Sequence, residues 1–329
     1  MDKLRPFLVS LLILGGVFLL YPLSIFVPIR HSATVTLVVN KGESFGVTTT
    51  KLSDLGLIRS GLAIRILGRL AGIEEEIKSG EYGFRGDVSP YRVIRDLVEG
   101  RVVLYEVTIP EGYNLWGIAR RMESAGIIKE EEFLEAAFDR TLLDELGIGA
   151  PSAEGYLFPD TYRFPKHASA RDLIREMVRN LRMHYDDKMR RRAEELGMSE
   201  REVLTLASII EKETGNRDER PLISAVFHNR LRRGMPLQAD PTSVYGVKDQ
   251  SEGITRDDLQ RESPYNTYRI RGLPPGPIAS PGLDSIRAAL YPADVDYLYF
   301  VSKHNGRHHF SKTREEHLRA VRLYRKQGR

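Results

Sequence analysis

The stretch S-E-R-E-V-L-T-L-A-S-I-I-E-K-E-T-G-N-R-D-E-R-P-L-I-S-A-V-F-H-N-R-L-R-R-G-M-P-L-Q-A-D-P-T-S-V-Y, Ser199 to Tyr245, decides how the rest of the chain is read. Ser199 with Glu202 forms a capping-box pattern, so a helix begins here. Val203, Leu206, Ala207 and Ile210 share one helical face, and Glu211 and Glu213 close the helix on either side of it, with Lys212 pointing away. Carboxylates at the end of an apolar helix are costly unless they face a cleft. Two residues apart, these two side chains diverge, so they are not a facing catalytic pair, and spacing hardly separates them as candidates. Asn229 and Arg230 then fall near a helix end at Gly234, followed by Gln238, Asp240 and Thr242 on backbone stiffened by Pro236 and Pro241. The combination points to acid/base chemistry on a sugar polymer. Glycosidic cleavage needs a general acid that keeps its proton near neutral pH, which burial or a neighbouring negative charge provides.

Further motifs extend this groove. S-P-Y-N-T-Y (263–268) offers Tyr265 and Tyr268 around Asn266, and G-L-P-P-G-P-I-A-S-P-G (272–282) is a rigid loop. P-S-A-E-G-Y-L-F-P-D-T-Y (151–162) carries Glu154 and Asp160 and marks a domain boundary. Asp160 and Asp240 each sit beside a proline, where turn capping competes with a groove role. Residues 170–196 read as one long amphipathic helix on Leu173, Met177, Leu181 and Tyr185, stopped by Gly197. A strand at Tyr297–Ser302, an Asn305-Gly306 turn and the G-R-H-H-F-S run predict a hairpin, and a basic helix follows from Thr313.

Residues 33–150 contain an approximate repeat. V-V-N-K-G-E-S-F (38–45) and L-S-D-L-G-L-I (52–58) match V-T-I-P-E-G-Y-N-L (107–115) and M-E-S-A-G-I-I (122–128) at one offset. Each copy predicts a strand, a glycine turn, a helix capped by Ser44 or Asn114, and a glycine stop. S-G-E-Y-G-F-R reads as a strand between them, and Ser89 caps a helix to Val98 that Gly100 stops. The pattern resembles the LysM fold, a βααβ module that binds glycan, although such a domain also serves as a spacer. Trp116, the single tryptophan, lies on the second repeat's helix, at a position that suits core packing more than a sugar platform.

The 329 residues contain no cysteine, which excludes disulfides and thiolate metal sites. The net charge of +4 is spread as mixed-sign pairs without long basic blocks, so no nucleic-acid partner is expected. Phe7–Val27 is apolar and uncharged, long enough to span a bilayer, and follows Lys3 and Arg5. An uncleaved single-pass anchor in the plasma (inner) membrane is expected, with the N-terminus cytoplasmic and the chain after Ile29 outside the cytoplasm.

A-S-I-I-E-K-E-T, F-H-N-R-L, M-P-L-Q-A-D-P-T-S-V-Y-G, Y-N-T-Y, E-G-Y-L-F-P-D-T-Y and the Pro/Gly loop together resemble the MltG (YceG-like) family of endolytic murein transglycosylases. The resemblance implies an α+β chain in three parts. These are a cytoplasmic tip and transmembrane helix (1–30), a LysM-like βααβ region (31–150) and a mixed α/β lytic-transglycosylase-like catalytic domain (151–329). It implies Glu213, the glutamate followed by threonine, as the acid/base of a lyase that leaves 1,6-anhydroMurNAc ends and needs no metal or cofactor. Glu211 is the fallback. Asn229, Gln238, Asp240, Tyr265, Asn266 and Tyr268 are expected to contact glycan. Asp160 is a groove candidate, and Glu154 is expected to orient substrate or hold the groove. Implied partners are peptidoglycan glycan strands, membrane lipid through residues 7–27, and cell-wall synthases. Two rivals are a hydrolase using Asp160 or Asp240 as second carboxylate and a non-enzymatic glycan-binding scaffold. A zinc enzyme on His304, His308 and His309 fits poorly, because adjacent strand residues point to opposite faces.

Overall fold

A computed structural model describes residues 21–248 and 252–327. Residues 7–20 of the expected anchor lie outside this range. Tyr21–Phe26 is a short 3-10 helix, and among the described residues no helix is long and apolar enough to cross a membrane.

The chain divides into two compact units, one of residues 1–105 with 163–167 and one of residues 106–162 with 168–329. The boundary expected at 150 therefore falls inside the second unit.

In the first unit, β1 (Ile29–Val39) pairs antiparallel with β2 (Gly80–Val88), running from Ile29 opposite Val88 to Val39 opposite Gly80 with one irregularity between His31 and Val35. Leu37 and Val39 point into the core while Val38 between them is exposed, the period-2 alternation of a half-buried strand. Helices α1 (Phe45–Asp54) and α2 (Gly61–Ala71) lie between the two strands in sequence, so the order is βααβ. α3 (Pro90–Glu99) follows, with Ser89 as its N-cap and Gly100 as its stop. Leu52, Leu57, Tyr82, Phe84, Val93 and Leu97 fill the core.

The predicted repeat is present in the backbone. β3 (Tyr105–Thr108) leads to α4 (Leu115–Ser124) as β1 leads to α1. Ser44 and Asn114 accept from Val47 N and Gly117 N, and the glycines match in φ, 76° and 77° at Gly42 and Gly112, 69° and 68° at Gly56 and Gly126. Leu57 N and Ile127 N bond back to Leu52 O and Met122 O, closing both helices in the same way. α5 (Glu130–Phe138) and α6 (Arg140–Glu145) then lead to β4 (Thr161–Phe164), which pairs with β3.

The helix expected over 170–196 is two helices, α7 (Ala170–His184) and α8 (Asp187–Glu195). Asp186 breaks it by accepting from Met189 N, the competition that a short acidic side chain offers to a continuing helix. α9 (Glu200–Glu213) has both bonds of the capping box, and every residue from Val203 to Ile210 is buried, so it runs through the middle of its unit. α10 (Arg220–Arg232), α11 (Arg256–Gln260) and α12 (Leu283–Leu290) surround the site described below. β5 (Tyr299–Ser302) and β6 (His308–Ser311) form the C-terminal hairpin. Asn305-Gly306 is not a two-residue turn. It lies in a five-residue loop whose ends close through Lys303 N to Arg307 O, with His304 at φ 61°. α13 (Arg314–Gln327) ends the described chain, its first turn capped by Thr313.

Candidate active site

The two glutamates at the end of α9 have different surroundings. Glu211 is fully engaged: its Oε1 accepts from Arg220 Nη2 at 2.8 Å and its Oε2 from Gly282 N at 2.9 Å. Both side chains of this ion pair are buried, so Glu211 fastens α9 to the start of α10 and to the loop before α12. Glu213 has no such partner. The residue as a whole is partly accessible, but its Oε1 is sealed from solvent and accepts no hydrogen bond among the described residues. Burial, and after it the charge of Asp240, push its pKa up to about 8, with Arg230 pulling weakly the other way. A carboxyl in this setting is protonated at neutral pH and has a proton to donate.

The helix ends at Glu213 because Thr214 turns to extended backbone, φ −148° and ψ 133°. Thr214 Oγ1 accepts from Asn216 N, and Asn216 in turn caps the 3-10 turn that leads into α10. The last helical residue thus carries the carboxyl without a following turn over it.

Asp240 is held opposite by a lattice of short contacts. Gln238 N donates to Thr267 O, Ala239 N to Thr267 Oγ1, and Thr267 N to Thr242 Oγ1, so the Q-A-D-P-T and Y-N-T-Y segments are locked together. Tyr268 Oη donates to Asp240 Oδ1. Burial, and then this carboxylate and Glu213, push the Tyr268 phenol up, so it keeps its proton and remains a donor. Gln238 adopts φ 51°, a left-handed conformation that is unusual for a side-chain-bearing residue, and its side chain is exposed next to Asp240.

A second buried carboxyl lies in the same unit. Glu154 Oε2 accepts from Leu115 N at 3.1 Å and from Tyr245 Oη at 3.0 Å, while its Oε1 has no partner among the described residues. Burial dominates and raises its pKa to about 7. The Tyr245 ring packs on Tyr265, with centroids 4.6 Å apart, and against Trp116 at 5.8 Å. Trp116 also meets Phe138, so the tryptophan belongs to this aromatic cluster rather than standing free. An open cleft of about 600 Å³ runs alongside, lined by Tyr113, Asn114, Arg121, Lys212, Tyr245 and Lys248 among others. Its wall is set by Gly112 N to Ser280 O and Ser280 N to Tyr113 O, which join the E-G-Y-N turn to the Pro/Gly loop.

The structure therefore gathers Glu213, Asp240, Tyr268 and Gln238 in one place, and Glu154 with Tyr265 in another. Three expected contact residues have other duties. Asn229 Nδ2 donates to Val295 O and Tyr297 O, and its Oδ1 accepts from Arg232, so it ties α10 to the segment before β5. Asn266 is fully buried and donates to the carbonyls of Leu259 and Arg261, shaping the loop that carries its neighbours. Asp160 accepts from Thr161 N and Asn180 Nδ2, the turn-capping alternative. His228 bonds Ala289 O, and burial holds its pKa below the usual range. His308 faces Glu219 whereas His309 packs on Tyr324, so the two adjacent histidines diverge.

Neither Tyr245 nor Arg230 is assigned a site role by the sequence. Tyr245 stands five residues after Asp240, and its partner Glu154 is 91 positions away. Arg230 looked like a helix-end charge, yet it is buried, donates to Leu298 O and Leu237 O, and its charge weakly opposes the upward shift at Glu213.

The YceG-like family model matches residues 37–323. A Bacillus subtilis (strain 168) protein named endolytic murein transglycosylase is 32% identical over 334 residues, covering 95% of this chain and 91% of the relative. A Streptococcus pneumoniae (strain ATCC BAA-255 / R6) protein of the same name is 33% identical over 95% of this chain, which spans only 63% of that longer relative. A crystal structure of a YceG-like protein from Listeria monocytogenes superposes with a TM-score of 0.61 at 33% identity, over 88% of this chain and all of that one. The chain belongs to the YceG-like family.

Proposed function

We propose that this chain is an endolytic peptidoglycan transglycosylase in which Glu213 is both acid and base. The observation that carries the reading is the contrast at the end of α9: Glu211 is paired with Arg220, while Glu213 has a sealed Oε1 without a hydrogen-bond partner among the described residues and is held protonated. The relatives named endolytic murein transglycosylase support the substrate.

Glu213 donates its proton to the oxygen joining C1 of MurNAc to C4 of GlcNAc. The C1–O bond breaks, GlcNAc leaves with a free 4-hydroxyl, and C1 becomes oxocarbenium-like. Glu213, now a carboxylate, takes the proton of the same MurNAc's 6-hydroxyl, and O6 bonds to C1. The proton returns to Glu213 and no water is consumed. A single carboxyl performs both transfers, so no second facing carboxylate is needed. Burial, and after it the charge of Asp240, keep Glu213 protonated at rest, and Tyr268 holds Asp240 in place. Gln238, Tyr265 and the cleft beside Tyr113 and Tyr245 serve as glycan contacts.

Cleavage in H₂¹⁸O separates this from hydrolysis. Transglycosylation leaves both new ends unlabelled, and hydrolysis places ¹⁸O at the new reducing end. A labelled end overturns the lyase assignment. The raised pKa also sets a pH dependence. kcat/KM falls as pH rises through about 8, where Glu213 loses its proton. In Asp240→Asn the negative neighbour is gone, the Glu213 pKa drops, and this alkaline fall moves to lower pH; an unmoved profile contradicts the role given to Asp240.

The LysM-like reading of residues 31–150 rests on the βααβ order of β1, α1, α2 and β2 and on the repeated turns. We place this region outside the cytoplasm on a single anchor, residues 7–27, which holds the enzyme beside nascent glycan where cutting sets strand length.

A further inference from the structure

We propose that the exposed face of α2 lies in the headgroup layer of an anionic phospholipid bilayer, as a second membrane contact beside the anchor. The inference rests on the reading of residues 7–27 as that anchor.

α2 is G-L-A-I-R-I-L-G-R-L-A, capped by Ser60 and stopped at Gly72. One side faces the core through Ile64 and Gly68. A Cβ at Gly68 would sit 2.4 Å from the Phe45 ring, so the helix rests directly on that ring and its roll is fixed. The opposite side is apolar and open to solvent: Leu62, Ile66 and Leu70 are 65%, 53% and 81% exposed. At 3.6 residues per turn these three span an arc of roughly 80°. Arg65 and Arg69 border the arc, and neither pairs with a carboxylate among the described residues. An exposed apolar stripe edged by free cations is the pattern of a helix lying in a membrane interface, where apolar side chains enter the acyl boundary and guanidinium groups meet anionic headgroups.

Three neighbouring features point to the same occupant. Arg59, one residue before the cap, donates through Nη1 to Ser24 O at 3.0 Å and Val27 O at 2.9 Å, and through Nη2 to Pro28 O at 3.2 Å. The end of the apolar run is thereby clasped to the start of α2. Leu23, Phe26 and Val27 at that end are more than half exposed, and the Phe26 ring packs on Tyr91 at 5.1 Å. An apolar cleft of about 430 Å³, lined by Ile25, Leu67, Tyr91, Ile94 and Val98, opens between them. The surface is continuous with the segment that would enter the bilayer, and a bilayer suits both its apolar arc and its arginines.

The chain has no cysteine, so single-cysteine probes report one position each. Full-length Leu62→Cys, Ile66→Cys, Leu70→Cys, Lys41→Cys and Ser10→Cys variants carry an environment-sensitive fluorophore in phosphatidylethanolamine/phosphatidylglycerol vesicles containing a lipid-borne quencher. Probes at 62, 66 and 70 are expected to be quenched several-fold more than the probe at 41, in the turn between β1 and α1. Quenching at 10 but not at 62, 66 or 70 overturns the inference and leaves the anchor standing. No quenching at 10 or at the helix removes the anchor reading and the inference with it. Helix probes unquenched by lipid yet shielded from aqueous iodide mean that a second copy or another protein covers this face, which also overturns it.

Discussion

Glu213→Gln is expected to lower turnover on uncross-linked glycan strands by about 10³-fold or more, the scale of losing a positioned general acid that also returns as base. The fold should survive, because the amide has the same shape and removes no ion pair. Stability gives an independent reading of the same residue. In the folded chain Glu213 keeps its proton up to about pH 8, whereas in the unfolded chain it ionises near its ordinary 4.5. Between these values the folded state binds more protons, so stability falls as pH rises through the window, by up to about 1.4 kcal/mol per pH unit from this group. Glu154, raised to about 7, contributes in the same direction. Glu213→Gln removes its own share, so chemical denaturation at pH 8.5 and pH 5 should show a smaller loss than in the unsubstituted chain. An identical pH dependence in both proteins would mean that Glu213 ionises normally.

Arg220→Met is expected to produce the largest loss of stability, about 3–5 kcal/mol, because it leaves Glu211 buried without its cation. Arg220 is itself almost wholly buried, and Glu111 and Asp284 also lie within 4 Å of its guanidinium, so the void is both electrostatic and steric. The double variant Arg220→Met with Glu211→Gln should recover part of the loss, since the stranded charge is removed. Urea midpoints of the four proteins measure this directly. A double variant no more stable than Arg220→Met would show that packing, rather than the unpaired charge, dominates.

These opposite expectations concern residues two positions apart, and the sequence alone could not divide them. Ser199 with Glu202, the run Val203–Ile210 and the stop at Thr214 are local, and they placed the helix and both carboxyls correctly. What distinguishes the carboxyls is that Glu211 accepts from Arg220, nine positions later, and from Gly282 N, 71 positions later. Spacing does not reveal that fold-dependent pairing; the family resemblance implied Glu213, the glutamate whose Oε1 has no partner among the described residues. The same limit explains Asn229 and Asn266. Near a helix end and between two tyrosines respectively they were expected to contact glycan, yet each spends its amide nitrogen on distant or looping carbonyls. Asp160 makes the turn-capping bond that its position beside Pro159 suggested, to Thr161 N. The repeat was legible because its signals, a capping side chain and two left-handed glycines, act within ten or so residues. The break at Asp186 was missed because hydrophobic period continues across it while one side-chain bond to Met189 N interrupts the backbone.

In the proposed mechanism one carboxyl, Glu213, carries both proton transfers of a non-hydrolytic cleavage. Mass spectrometry of uncross-linked glycan strands, digested by the full-length protein beside Glu213→Gln, tests it most directly. Internal fragments ending in 1,6-anhydroMurNAc, made by the unsubstituted protein and absent with Glu213→Gln, are the predicted result. Anhydro ends formed equally by both proteins would contradict the claim and turn attention to Glu154, the other buried carboxyl with a raised pKa.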